Sequence, residues 1–469
     1  MVSEKERIVV IETGSATVSG AVGYKRPDGT LEVEAYASEP SGDFIKNGVV
    51  RNIDRTAQCL TNIINMLEGT LKNATIDKVY IGIGGYTLHS IHGRVERGFD
   101  EETRVTAEMV DNMFSDNEER IISDKTVIEV IPQEYFVDSL LTAEPVGCNC
   151  RHIVGEYLNL MARFSTIDNL RSAFDMAKLE NTDTLITPVR LADAILTPTE
   201  RSLGCTLVDI GAGSTTISIY KGGRLRFLSV VPLGDSLITA DLASLGIGDE
   251  EAERIKRTIG FTRADDEKAV YVTEGGNEIP RANIGLVIRA RMQEILANVA
   301  SQVKASGYTD DKLSSGYIFT GGALEIPGAE AFTAHAFTRI RVAGPDVRIH
   351  WTPTDKPSTS KQLVLGALIA AGDENCVTVT RPVAVEIDYS NPELTTGSLF
   401  GEDGEDAQIE RDRKQAERQK ADAERKRQEK EEKRRKKEEE RAARPKRKSL
   451  FDRIKEMRDN LTDLINDNE

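Results

Sequence analysis

The sequence has no cysteine pair at C-x-x-C spacing. Its five cysteines, Cys59, Cys148, Cys150, Cys205 and Cys376, are odd in number, so neither a disulfide framework nor a zinc ribbon is indicated, and a reducing compartment fits. Histidine is scarce too: five are scattered over 469 residues, and His89 with His92 is the one near pair, with no third metal ligand beside it. No run of 18 apolar residues occurs, so no helix is expected to cross a bilayer. The opening MVSEKERIVV carries no long apolar run before its first strand, and neither a secretory signal nor a transit peptide is expected there. The expectation is a protein that is soluble or held at a surface. A net charge of −16 argues against a general nucleic-acid binder.

What is present points to an α/β body. The length allows about three domains, and up to about residue 375 short β-branched strands alternate with amphipathic helices. Arg51 to Lys72 carries Ala57, Leu60, Ile63, Ile64, Leu67 and Leu71 at helical spacing, which predicts a helix with one face on a sheet. Residues 373–404 read as a flexible exit. Residues 405–448 form a charged linker; as far as Arg444 it is almost wholly Glu, Lys, Arg, Gln, Asp and Ala, with Ile409 its single large apolar residue. Acid-first pairs such as Glu410 with Lys414 and Glu429 with Lys433 would hold it as a solvated helix, about 60 Å long at about 1.5 Å per residue. A spacer is the reading preferred over a coiled coil or an RNA-binding tract. After Pro445, Ser449 and Asp452 resemble a capping box. Beyond them Leu450, Phe451, Ile454, Met457, Leu461, Leu464 and Ile465 share an arc of about 140°, the apolar face of an amphipathic helix at 449–469.

The chemistry concentrates in glycine turns. In LVDIGAGSTTISIY, Leu207 to Tyr220, a strand meets Asp209, then Gly211 and Gly213, and resumes as a second strand. The glycines can take positive φ and present successive N–H groups to a phosphate, and Thr215 can add a hydroxyl. Asp209 would repel a bare phosphate, so a cation such as magnesium is expected between them. Taken alone, the motif also suits a plain hairpin. It is repeated, however, in IETGSATVSGAVGY, Ile11 to Tyr24, where Glu12 stands ahead of Gly14. Each is followed by a further turn and strand, PDGTLEV and KGGRLRFL. This predicts a duplicated fold whose halves hold one nucleotide's phosphates from opposite sides. In YIFTGGALEIPG, Tyr317 to Gly328, a strand enters Gly321 and Gly322, where backbone would lie against a base or ribose.

Over Ile8 to about Gly372 these motifs, in this order, resemble the FtsA family, the bacterial cell-division branch of the actin, Hsp70 and sugar-kinase superfamily. IETGSATV resembles its first phosphate segment, DIGAGSTT its second and FTGGALEIPG its adenosine segment. The resemblance implies an actin-like α/β fold that binds ATP and Mg2+. Gly14, Ser15, Ala16, Gly211, Ala212, Gly213, Ser214, Thr215, Gly234, Gly321, Gly322 and Ala323 would line the nucleotide. Glu12 and Asp209 would serve as metal and catalytic carboxylates. AERIKRTIG resembles the connecting segment, in which Glu253 and Lys256 would approach ribose and adenine. The pieces IGIGGYTLHSIHG, VIEVIPQEYFVD and PVGCNCRHIVGEYLNLMARF look like the subdomain that distinguishes this family from actin. The implied organisation is an actin-like domain I at 1–80, the extra subdomain at 81–170, a return to domain I at 171–203, and domain II at 204–372.

The resemblance further implies a protein that polymerises with itself head to tail and lies on the cytoplasmic face of the inner membrane at the division site. There it would link the tubulin-like FtsZ ring to lipid through the terminal helix and contact other division proteins. The FtsZ C-terminal peptide would dock between about Ala240 and Ser314. No nucleophile and base pair stands out, so at most a slow ATPase is expected. The family carries an aspartate where this chain has Glu12, which sets the carboxylate about 1.5 Å further toward the metal shell and is expected to harm hydrolysis more than binding. A pilus-assembly adaptor or a small-molecule kinase of the superfamily are the rival readings.

Overall fold

The computed structural model describes residues 5–119, 124–261 and 269–379. The charged linker and the set expected to face a membrane, Leu450, Phe451, Ile454, Met457, Leu461, Leu464 and Ile465, lie outside the described residues.

Two sheets carry one connectivity. In the first, Ile8–Thr13 pairs antiparallel with Thr17–Lys25, which pairs with Leu31–Pro40. On its other side Ile8–Thr13 runs parallel to Lys78–Ile83, and that strand runs parallel to Glu180–Ile186. In the second, Cys205–Ile210 pairs antiparallel with Thr215–Lys221, then Arg224–Val231, and on its other side runs parallel to Tyr317–Thr320, then Ile340–Val342. Numbered within each half, both sheets read 3-2-1-4-5, and Ile349–Trp351 adds a sixth strand beside Leu31–Pro40 in the first. The duplication expected from the two glycine hairpins thus extends through five strands of each half.

The central strands are continuous apolar runs because both faces are covered. Ile8, Val9, Val10 and Ile11 are all buried. The helix Ile53–Leu71 covers the first sheet with Ala57, Leu60, Ile63, Ile64 and Leu67, and Asn52 caps it by accepting from Arg55 N. Each buried Leu or Ile contributes about 1.5–3 kcal/mol, so the face read from periodicity is what docks. In the second half, the helix Arg281–Ala305 presents Ile284, Ile288, Met292, Ile295 and Leu296 to Val208, Ile217 and Ile219.

An insertion interrupts the first half. Leu140–Thr142, Lys125–Val137, Asn149–Arg163 and His89–Arg104 form a four-stranded antiparallel sheet. It has its own core, which includes Val95, Met113, Val130, Ile153 and Tyr157. Its chain belongs to the first half, yet it rests on the second: Leu228 N donates to Ser90 Oγ at 2.8 Å, and Arg226 pairs with Glu134 at 2.5 Å. The flanks of the expected 81–170 segment stay in the body, since the strand Lys78–Ile83 runs past residue 81 and the helix Phe164–Met176 packs on the helix Ile53–Leu71.

A second boundary also moves. Domain II was expected to run to residue 372, but the chain has returned to the first sheet by Ile349–Trp351, and the helix Thr359–Ala371 packs on that sheet. Its apolar residues Leu363, Leu365, Leu368 and Ile369 are buried, and the first sheet is the surface they cover.

The halves are joined on the side of the strand Ile340–Val342. Arg341 Nε and Nη2 donate to the two oxygens of Glu200 at 2.6 and 2.9 Å, and Nη2 also donates to the Ile195 carbonyl at 3.0 Å. Glu200 at the same time closes a capping box with Thr197 on the helix Pro198–Leu203. The Arg341 guanidinium, with the Thr197 hydrogen bonds, holds the Glu200 carboxyl down at about 2 although burial opposes it. A depressed folded-state value means this stabilisation is fully present above the ordinary carboxylate range and fades as pH falls toward 2. Glu200→Gln keeps the cap but removes the charge. At pH 7 it is expected to cost about 1 kcal/mol, a modest figure because Arg341 is partly solvated. In urea titrations the gap from wild type should narrow steadily below pH 4.

Candidate functional site

The two hairpin turns lie against each other. A Cβ on Gly213 would fall 2.5 Å from Ser15 Oγ and 3.0 Å from Asn47 Oδ1, so the second turn reaches the first only because residue 213 has no side chain. Neither Gly211 nor Gly213 sits in the left-handed region. This corrects the expectation that positive φ is what these glycines supply; at Gly213 it is close approach.

The turns share a second device. Ser41, just past the third strand of the first half, donates from its N–H to the Ala16 carbonyl at 2.9 Å and from Oγ to the Gly14 carbonyl at 2.6 Å. At the equivalent place in the second half, Asp235 N donates to the Gly211 carbonyl at 3.0 Å. Ser236 donates to the Ala212 carbonyl through N at 2.9 Å and Oγ at 2.6 Å. The negative ends of both turns are therefore occupied. The N–H groups of Ser15, Ala16, Ala212 and Gly213 make no hydrogen bond among the described residues. Ser15 and Ala212 are half-buried, Gly213 is buried and Ala16 is exposed; unpaired donors in partly buried backbone favour an acceptor, and two facing sets suit an extended anion. Ser214 closes its turn by accepting from Gly211 N at 3.0 Å. Thr215 differs from expectation: its hydroxyl donates to the Leu233 carbonyl at 2.7 Å, tying the turn to the Leu233–Gly234 loop rather than offering a donor to phosphate.

Two carboxylates stand at the strand ends beneath the turns. Burial pushes the Asp209 carboxyl up to about 6, and the Glu12 charge adds to the rise while Lys361 opposes it. Holding Asp209 ionised at pH 7 therefore costs on the order of 3 kcal/mol, a cost that a cation would relieve. Lys361 Nζ donates to Glu12 Oε2 at 2.6 Å. Among the described residues no three His, Cys, Asp or Glu side chains converge as a metal cage. Two acids near free amides instead suit magnesium, which keeps most of its waters and shares its shell with phosphate.

The third glycine segment meets the second turn. Gly321 has φ +101, and a Cβ there would lie 2.6 Å from Asp209 Oδ1 and closer still to the Ile210 carbonyl. After the strand Tyr317–Thr320 comes a 3-10 turn, Gly322–Glu325, and a helix follows from Ala329. Gly322 is open, with its nearest neighbours Asp235 Oδ2 at 3.7 Å and Arg257 Nη2 at 3.9 Å from a notional Cβ. Ala323 is buried in the second core.

The connecting segment is more self-contained than expected. Lys256 is 1 % exposed, and its amine pairs with Glu253 at 2.7 Å and with Asp235 at 3.4 Å. It is thus a buried strut, which corrects its expected direct approach to adenine. Burial alone would raise Glu253, but hydrogen bonds from Lys256 and Thr239 pull its carboxyl down to about 2. Asp235 is buried, and its Oδ2 accepts no hydrogen bond. It lies beside Gly234, whose backbone runs against Ala212 and Gly211.

Ser41, Asp235, Ser236 and Lys361 carry much of this geometry and were not singled out from the sequence. The first three were findable, because Ser41 and Asp235-Ser236 each come after the third strand of a repeated half. Lys361 had no local signal. A cavity of about 740 Å3 near the hinge is lined by Asp193, Arg201, Arg341, Asp346 and Arg348. Its arginines are already paired, Arg201 with Asp193, Arg341 with Glu200 and Arg348 with Asp346, so it offers little unspent charge for a ligand.

A protein of Porphyromonas gingivalis named "Cell division protein FtsA" is 30% identical to this chain over 326 residues, which is 68% of each. The chain belongs to the FtsA family. A family model described as "Cell division protein FtsA" matches residues 206–364. The FtsA of Neisseria meningitidis is 27% identical over 357 residues, 74% of this chain and 85% of the relative. Among solved structures, one titled "PilM-PilN type IV pilus biogenesis complex" aligns with a TM-score of 0.55 over 78% of this chain and 99% of its own, at 16% identity. That likeness is one of fold, and the fold is the actin-like one, with its two halves of matching connectivity. Membership in FtsA makes this a cell-division protein and sets aside the pilus adaptor and the kinase.

The two glycines of the third segment give a paired test. Gly321→Ala places a Cβ where φ is positive and against the Asp209 carboxylate, and is expected to cost about 2 kcal/mol or more. Gly322→Ala meets nothing within 3.5 Å and is expected to stay within about 0.5 kcal/mol of wild type. Urea unfolding of the two variants checks the contrast.

Proposed function

We propose that this chain is an ATP-binding, actin-like cell-division protein that polymerises and tethers the FtsZ ring to the cytoplasmic face of the inner membrane. The observation that carries the reading is the pair of facing turns, with carbonyls tied back and amides unpaired, above Glu12 and Asp209. In that reading Ser15 and Ala16 bind phosphate oxygens from one wall, and Ala212 and Gly213 from the other. Gly321 and Gly322 leave room for the nucleoside. Magnesium, when bound, neutralises phosphate charge, with Glu12 and Asp209 holding its water shell. Asp209 would also orient a water, and with no further base at hand hydrolysis is at most slow.

Because each wall belongs to a different half, a ligand held by both resists their separation, which makes nucleotide a control on assembly. Surfaces for partners are available. The short hairpin of Val270–Val272 and Glu278–Pro280, with exposed Val270, Val272 and Leu286, supports docking of an FtsZ C-terminal peptide in the 240–314 region. The edge strand Leu140–Thr142 exposes Leu140 and Leu141, which supports contact between copies. No helix among the described residues is long and apolar enough to cross a membrane. Attachment is assigned to the amphipathic sequence at 449–469, aided by Arg444, Lys446, Arg447 and Lys448 at about 1 kcal/mol per basic residue near lipid. One such helix holds weakly, and many joined in a filament hold firmly.

The full chain, mixed with ATP, magnesium and vesicles containing anionic lipid, is expected to form membrane-bound filaments that recruit an FtsZ C-terminal peptide. Removal of Ser449 to Glu469 should abolish flotation with lipid while leaving ATP binding intact. Flotation of the truncated protein would place the anchor elsewhere, and absence of ATP binding by the full chain would remove the nucleotide from the account.

A further inference from the structure

Lys361 is an unusual residue for its position. It occupies the first turn of the helix Thr359–Ala371, where the helix dipole and unpaired N–H groups disfavour a cation. Something must offset that, and the Glu12 carboxylate at 2.6 Å does so. The start of the helix is fixed from the other half as well, because Ser360 N donates to Glu325 Oε1 at 2.9 Å, and Glu325 belongs to the 3-10 turn after Gly321. The lysine is thus positioned by both walls of the cleft. It is 22 % exposed and Glu12 17 %, so the pair is partly screened and still open to the cleft.

The identity of residue 12 matters to this pairing. A glutamate carries its carboxylate about one methylene further than an aspartate, and here it contacts a lysine on a different element. The pair leaves a single formal negative charge across Glu12, Asp209 and Lys361, where two carboxylates alone would carry two.

On the reading of the cleft as an ATP site, we propose that Lys361 is a resident counter-cation: it offsets the Glu12 and Asp209 carboxylates so that a nucleoside triphosphate binds without a divalent metal. Binding and metal loading are then separable in this chain. A cleft with two uncompensated carboxylates would repel a metal-free triphosphate more strongly, whereas one built-in positive charge is worth about a hundredfold in affinity in a half-screened site.

The test is equilibrium titration of the full chain with a fluorescent ATP analogue, in magnesium chloride and in EDTA. Wild type is expected to lose no more than about tenfold on chelation. Lys361→Met should lose about a hundredfold more than wild type in EDTA while binding within a few-fold of it in magnesium, and Lys361→Arg should restore metal-free binding. Glu12→Gln, which removes a carboxylate and frees the lysine, should tighten metal-free binding and so gives an answer even if Lys361→Met folds poorly. Equal chelation losses for wild type and Lys361→Met, or weaker metal-free binding by Glu12→Gln, would overturn the proposal and leave Lys361 as a structural ion pair. Failure of wild type to bind in magnesium is a different result, and it would remove the ATP reading itself.

Discussion

The contact between Ser15 and Gly213 is the constraint on which the rest depends. Two turns with acidic residues beneath them approach until a single Cβ would separate them, and they belong to two different halves of the chain. Burial raises the Asp209 carboxyl, the Glu12 charge adds to the rise, and the pair calls for compensation. In this structure Lys361 supplies part of it, and the unpaired amides of both turns show where the remainder is to be found. An anion that brings a cation would satisfy both demands at once, and Lys361 lowers how much of the second the cation has to supply.

That approach is possible because each half was built by one plan. After the third strand of either half a serine, Ser41 or Ser236, occupies carbonyls of that half's turn while amides of the turn stay unpaired among the described residues. The halves are also joined where Glu200 pairs with Arg341, and the returning chain at Ile349–Trp351 and the helix Thr359–Ala371 pack on the first sheet. Covalent crossings and a bidentate ion pair join the halves, and a ligand bound between the two turns would add a further tie. An insertion whose chain belongs to one half and whose edge rests on the other adds a contact that any opening motion has to respect.

Much of this was legible from the residues. The repeated strand, acid, glycine and strand gave the duplication, because a hairpin with an acid at its mouth is rare enough to be noticed twice. The apolar stripe from Ala57 to Leu67 gave the helix and its buried face. Less visible were the relations between distant positions. Lys361 is 349 residues from Glu12, and no periodicity links them. The buried state of Lys256 follows from Asp235 and Glu253 folding around it, which spacing along a helix does not disclose. The glycines of the second turn were read for torsional freedom, whereas Gly213 serves proximity to another part of the chain, a property of tertiary structure alone. The end of the second half was misplaced for the same reason: an apolar helix declares that it will be buried, not on which sheet.

The central claim is that one ligand is held from both walls at once, and amide hydrogen exchange tests it most directly. With ATP and magnesium added to the full chain, the account predicts slower exchange at 14–17 and at 211–215 together, with the same dependence on ATP concentration. Protection confined to one of the two turns, or appearing at different ATP concentrations in each, would contradict it.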